Sequence, residues 1–176
     1  MPSTPPPPVP GDDRDWTFVI TDGCPDCGFQ PLPPAELADV FVKRSTRWRD
    51  VLSRTDAAQR PAPTVWSRLE YAGHVRDMLA VLQERVEAML GQEGPVFADW
   101  DGDAKAVELE YWNEDPQQTL AELQRSAAQV GRLLHGVTAL GWERSGRRSD
   151  GMSFTVATMS QYIAHEMEHH LHDVGA

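Results

Sequence analysis

The chain has 176 residues, 40% of them hydrophobic, enough for one domain with a core of its own. Its 27 acidic residues outnumber 16 basic ones, and the net charge of −11 disfavours binding to the phosphate backbone of nucleic acid. No stretch approaches the roughly 20 apolar residues of a spanning helix, and the opening MPSTPPPPVP lacks the basic start and apolar run of a signal peptide, so a cytoplasmic protein with no membrane partner is expected.

Residues 1–14 are proline-rich and then charged, and read as a disordered tail. Residues 15–33 read as an N-terminal arm, with the short apolar segment DWTFVI followed by the turn-forming DGCPDCGFQPLPP. Cys24 and Cys27 are too few for a secreted disulfide framework. CPDCG resembles half a zinc knuckle, but a structural zinc site needs four ligands and no nearby histidine or cysteine completes it. Three readings stay open: a packing turn, a second metal site completed by a dimer partner, and a redox pair.

From residue 34 to the end the pattern is helical. Leu37, Val40, Phe41, Trp48, Val51 and Leu52 recur at helical spacing from Pro34 to about Arg54. RPAPTVW, residues 60–66, breaks the pattern. The next helix opens on a capping box, Ser67 with Glu70, and stops at Gly91; Trp66 and Tyr71 are spaced as a hydrophobic staple over that cap. The 24 residues from Gln92 to Asp115 form a long connection with a short helix from Asp103 to Trp112. Asp115 and Pro116 then serve as N-cap and first residue of a helix ending near His135. A second connection containing ERSGRRSDGMS leads to a last helix over Thr155–Asp173. No segment alternates like a strand. Four long helices predict an all-α four-helix bundle over residues 34–176, with the long connection acting as a crossover between its second and third helices.

The last helix carries HEMEHHLHDV, residues 165–174. At 100° per residue, Val156, Met159, Ile163, Met167, Leu171 and Val174 share one apolar arc. Thr158, Tyr162, His165, His169 and His172 share another, uncharged and therefore expected to be covered. His165 and His169 stand one turn apart, so both rings can converge on one ion. Two ligands are too few for zinc, and the chain ends seven residues later, so a third must come from upstream. His74, at the inward edge of its own helix's stripe, is the best candidate. His135 complements a helix C-terminus without a metal. Glu166 and His170 offer a rival pair at the same spacing.

WSRLEYAGHVRD (66–77), with a histidine eight residues after its tryptophan, the closing HEMEHHLHDV, and about 90 residues between them together resemble the DinB-like family of metal-binding four-helix-bundle proteins. Actinobacterial members look similar even in CPDCGF and FADWDGDA. The resemblance implies an up-down-down-up bundle, often dimeric, and a divalent ion, zinc or nickel, held by His74, His165 and His169. Characterised relatives include mycothiol-dependent maleylpyruvate isomerase and bacillithiol transferases, which use such an ion to activate a low-molecular-weight thiol. The isomerase has a glutamate in its pair on the last helix, which keeps the Glu166/His170 register open.

The expected function is therefore a metal-dependent enzyme that activates a thiol of the mycothiol type for S-transfer to a small electrophile or for isomerisation. A divalent cation favours thiolate over thiol, and the thiolate is the nucleophile. Tyr162 and Glu166 are candidates to support the ligands; Trp100, Asp101, Asp103 and Arg148 are candidates for substrate contacts. Two alternatives stand beside this reading. H-E-x-x-H is also the zinc-peptidase signature, with Glu166 as base, although no downstream ligand and no strand for a peptide substrate accompany it. A non-catalytic bundle stabilised by its metal, with a binding or stress role, has the same ligands.

Overall fold

The computed structural model describes residues 5–11 and 14–176; the remainder of the tail expected over 1–14 lies outside the described residues. Four long helices dominate: α2 (Pro34–Leu52), α3 (Arg68–Gly91), α5 (Pro116–His135) and α7 (Val156–Asp173). Short helices α1 (Val19–Asp22), α4 (Gly102–Glu108) and α6 (Ala139–Trp142) lie between or before them. Helices α2 and α3 each pack against both α5 and α7 and touch one another little, so they occupy opposite corners of the bundle. Trp48 and Phe41 of α2, Leu79 and Met89 of α3, Leu123 and Leu134 of α5, and Met159 and Met167 of α7 fill the middle.

Local chemistry sets the helix ends. At the start of α3 the Ser67 hydroxyl accepts from the Glu70 amide while the Glu70 carboxylate accepts from the Ser67 amide. The Trp66 and Tyr71 rings meet edge to face, 5.4 Å between centroids, as the staple over that cap. Thr155 and Thr158 make the equivalent reciprocal cap on α7, and Asp115 caps α5 through the Gln118 amide. The short helix expected over Asp103–Trp112 is split. Helix α4 ends at Glu108, Glu110 turns into the left-handed region at φ 52°, and a single 3-10 turn follows over Tyr111–Asn113.

The expectation of a strand-free chain is corrected by a small three-stranded sheet. Strand β1 (Val96–Phe97) pairs parallel with β2 (Ser145–Arg148), which pairs antiparallel with β3 (Ser153–Thr155). These strands are two to four residues long and rich in serine, glycine and arginine, too short to alternate visibly. The sheet ties the crossover to the start of α7. Arg144 donates to the carbonyls of Met89 and Gln92 at the end of α3, and its own carbonyl accepts from the Val156 amide at 2.9 Å.

The N-terminal segments lie on the bundle. The carbonyl of Pro7 accepts from Arg60 at 2.6 Å, and Val19, Cys24 and Phe29 are buried. Among the described residues no helix is long and apolar enough to cross a membrane.

Candidate functional site

Helix α7 presents its polar residues in two neighbouring registers, and the structure gives them different companions. His165 and His169 face the N-terminal arm. Their ligand atoms and the sulfurs of Cys24 and Cys27 all lie within 4.8 Å of one another. Cys24 Sγ is 3.6 Å from His169 Nδ1. Trp16 packs against both rings, tilted over His165 at 5.4 Å and edge-on to His169 at 4.8 Å, and Phe29 meets His165 edge-on at 5.5 Å. Of the uncharged arc expected to be covered, His165 and His169 lie under the arm, Tyr162 borders the cavity described next, and His172 is exposed.

The other register faces a cavity of about 540 Å³ between α3, α7 and the crossover. Here His170 lies against His74, 5.0 Å between ring centroids, with Glu166 Oε2 3.8 Å from His170 Nε2. His74 is enclosed by Trp66 and Trp100, at 5.1 and 5.3 Å, and by Gly102, where a Cβ would come within 2.7 Å of its ring. His74 therefore stands outside the group formed by His165 and His169 and beside the Glu166/His170 pair. The physical reason is rotation: residues 165 and 169 lie about 100° round the helix from 166 and 170, and α3 packs on the side of the second pair.

Hydrogen bonds assign the ring nitrogens. A carboxylate can only accept, so His170 Nδ1 donates to Asp173 Oδ2 at 2.9 Å and His165 Nδ1 donates to Glu166 Oε1 at 3.1 Å. In each neutral ring this leaves Nε2 with its lone pair, and both Nε2 atoms are buried without a hydrogen-bond partner. His74 Nδ1 is also buried and unpartnered. Burial holds the His74 imidazole well below its usual pKa, and the adjacent His170 adds to this. Burial likewise lowers His169, whereas for His165 the interactions with Glu166 and Cys24 outweigh burial and raise it. Burial opposes ionisation of Cys24, but the backbone amides of Cys27 and Asp26 together with His165 outweigh it and lower that thiol. Cys27, with burial dominant, is pushed up to about 11.

The remaining predicted residues divide. Trp100, Asp103, Arg148 and Tyr162 line the cavity with His74, His170 and the edge of His169. Arg148 is paired with Asp150 and lies over the Phe154 ring, while burial and then Asp101 raise the Asp103 carboxyl. Asp101 caps α4 by accepting from the Ala104 amide at 2.9 Å and lines a second, smaller cavity instead. His135 pairs with Asp39 on the surface. Asp173, Trp16 and Phe29 were missed by sequence reasoning. For Asp173 the signal was present as H-x-x-D at residues 170–173, a spacing that lets a carboxylate reach back to a ring nitrogen.

A family model describing the DinB superfamily matches residues 55–174. The chain belongs to the DinB superfamily. The matched span runs from before α3 through α7, and so contains His74 and every histidine of the last helix. Among solved structures, the fold is similar to that of YfiT from Bacillus subtilis, described as a probable metal-dependent hydrolase with an unusual four-helix bundle topology. The TM-score is 0.71 at 18% identity, covering 80% of this chain and 85% of that one. No curated protein matches the chain in sequence.

Proposed function

We propose that this DinB superfamily member is a divalent-metal-dependent enzyme whose reaction site is the cavity holding His74, Glu166 and His170. The observation that carries the reading is a pair of buried, unpartnered imidazole nitrogens, His74 Nδ1 and His170 Nε2, on rings 5.0 Å apart at the wall of that cavity. Two neutral imidazoles and a carboxylate suit zinc or nickel and leave a position open for a reactant. Bound there, the ion would supply Lewis acidity that favours the thiolate of a cosubstrate thiol or the hydroxide of a water.

The protein's own residues prepare the site. Asp173 fixes the His170 tautomer so that Nε2 keeps its lone pair, the arrangement carboxylates commonly provide behind ligating histidines. The Trp66 and Trp100 rings exclude water from His74, and Tyr71 packs on His170 at 5.1 Å. Arg148 at the cavity wall supplies positive charge for an anionic substrate group. The cosubstrate we assign is a low-molecular-weight thiol of the mycothiol type, acting by S-transfer to a small electrophile or by isomerisation. An up-down-down-up helix order, a homodimer and a cytoplasmic location belong to the same reading.

Hydrolysis is the second reading, supported by the description of YfiT as a probable metal-dependent hydrolase. The peptidase version of it is disfavoured because H-E-x-x-H needs an open position on the His165/His169 pair, and two cysteine sulfurs already stand there. The test uses untagged protein loaded with zinc or nickel. Thiol-dependent consumption of an electrophile, abolished in His74→Ala together with loss of metal, supports the proposal. Turnover without thiol points to hydrolysis, and full activity and metal content in His74→Ala would sink the cavity assignment.

A further inference from the structure

The pair His165 and His169 is left over once the cavity takes Glu166 and His170, and so are both cysteines. We propose that Cys24, Cys27, His165 and His169 bind a zinc ion in a closed tetrahedral site that fastens the N-terminal arm to the last helix. Its four ligands are distinct from His74, Glu166 and His170, although His169 and Trp16 also border the cavity and Glu166 bonds His165.

Four arguments converge. The first is the donor set: two thiols and two imidazoles are the ligands of structural zinc, with Zn–S about 2.3 Å and Zn–N about 2.0–2.1 Å. Tetrahedral angles then place ligand atoms about 3.3–3.8 Å apart. The observed group lies within 4.8 Å throughout, and the 3.6 Å between Cys24 Sγ and His169 Nδ1 already matches. Small side-chain rotations close the rest.

The second is an orphan. His165 is fully buried and its Nε2 has no hydrogen-bond partner, while Nδ1 is committed to Glu166. The groups gathered beside this buried nitrogen are thiols, which are weak donors, and a metal ion would satisfy its lone pair.

The third is the backbone of the arm. Gly23 and Gly28 both adopt positive φ, 75° and 76°, bracketing CPDC in a tight turn. The Gly28 amide donates to the Cys24 carbonyl at 2.9 Å and the Cys24 amide to the Phe29 carbonyl at 2.9 Å. The turn sets both sulfurs on one side, where they gather with the two imidazoles.

The fourth is charge and closure. Two thiolates balance the +2 of zinc, so the completed site is neutral and suits the low-dielectric space under Trp16 and Phe29. On loading, the two thiol protons leave to solvent and the net charge of the group is unchanged. Four protein ligands leave no position for a reactant, which makes the site structural.

The test compares full-length, untagged wild type with Cys24→Ser/Cys27→Ser and with His74→Ala/His170→Ala, each refolded with cobalt and then with zinc. Wild type and His74→Ala/His170→Ala should show a thiolate-to-cobalt charge-transfer band in the near ultraviolet. The cysteine variant should lack the band and hold about one equivalent of zinc less than wild type. In wild type, excess zinc should protect both thiols from alkylation, a measurement that stands even where the cysteine variant fails to fold. No charge-transfer band in wild type, equal alkylation with and without zinc, or isolation of the reduced protein as a metal-free Cys24–Cys27 disulfide on exposure to air and zinc together would each overturn the assignment. Loss of metal confined to His74→Ala/His170→Ala would overturn it too, while leaving the cavity proposal intact.

Discussion

His74 and His170 owe their positions to very small neighbours and one carboxylate. Gly102 lets the crossover backbone lie against the His74 ring; a Cβ there would stand 2.7 Å from Cε1 and 2.9 Å from Nδ1. We predict that Gly102→Ala displaces the ring and weakens metal retention in the cavity, measured by competition with a chromogenic chelator; unchanged affinity would show that the ring is not held from that side. Asp173→Ala removes the acceptor behind His170, and a loss of about 10–100-fold in metal affinity is expected. Gly73 contrasts with both, since its Cβ would meet the Tyr111 ring at 2.9 Å, away from the histidines. Gly73→Ala should cost about 1–3 kcal/mol in denaturant unfolding and leave metal affinity alone. At this scale the sequence was only half legible. His74, His165 and His169 could be singled out as inward imidazoles, but a 100° difference decides which ring meets which, and helical spacing alone does not say which side of α7 faces α3. Cys24 and Cys27 were unreadable for another reason: their companions lie 138 or more residues away.

The elements themselves were written more openly. The Ser67/Glu70 box, Asp115 with Pro116 and the stop at Gly91 gave the limits of α3 and the start of α5, because capping depends on residues next to one another. The three strands escaped because each run is too short for a pattern, and because β1 finds its partner β2 only across long-range pairing. Capping also predicts an order of stabilities. Glu70 is 1% exposed, closes the α3 cap and takes both a fork and a side contact from Arg60, with Nε 3.0 and 2.9 Å from its two oxygens. Arg60→Ala strands a buried carboxylate and should cost about 3–5 kcal/mol. Ser67→Ala removes only the hydroxyl acceptor and should cost about 1 kcal/mol. Urea unfolding of the two variants checks the order, and an equal loss would mean that Glu70 rehydrates when Arg60 is gone.

At the scale of the molecule, an acidic chain folds as a DinB superfamily bundle with an extra strap across one edge. The family match begins at residue 55, so the strap, α1 and α2 lie before it. Arg44 of α2 reinforces the same edge, donating to the Ala164 carbonyl at 2.9 Å and pairing with Glu168, which also binds Arg47. If the strap is held chiefly by an ion, stripping that ion should free it while the helices persist. Limited proteolysis after treatment with a mercurial and a chelator should then cut within residues 14–33 first, with the product identified by mass spectrometry. A digestion pattern unchanged by metal removal would mean that Trp16, Val19 and Phe29 hold the strap by packing alone.

Glu166 touches both registers of α7: one oxygen accepts from His165 Nδ1 at 3.1 Å while the other lies 3.8 Å from His170 Nε2. One carboxylate thus serves as outer support for the closed site and as a prospective ligand of the open one. Its electron density cannot be drawn toward one side without changing what the other feels, so the two ions would be thermodynamically linked, and the linkage must be reciprocal. Filling the structural site would tune the Lewis acidity of the reactive one, and the N-terminal strap would set, from outside the cavity, how strongly the cavity grips its metal.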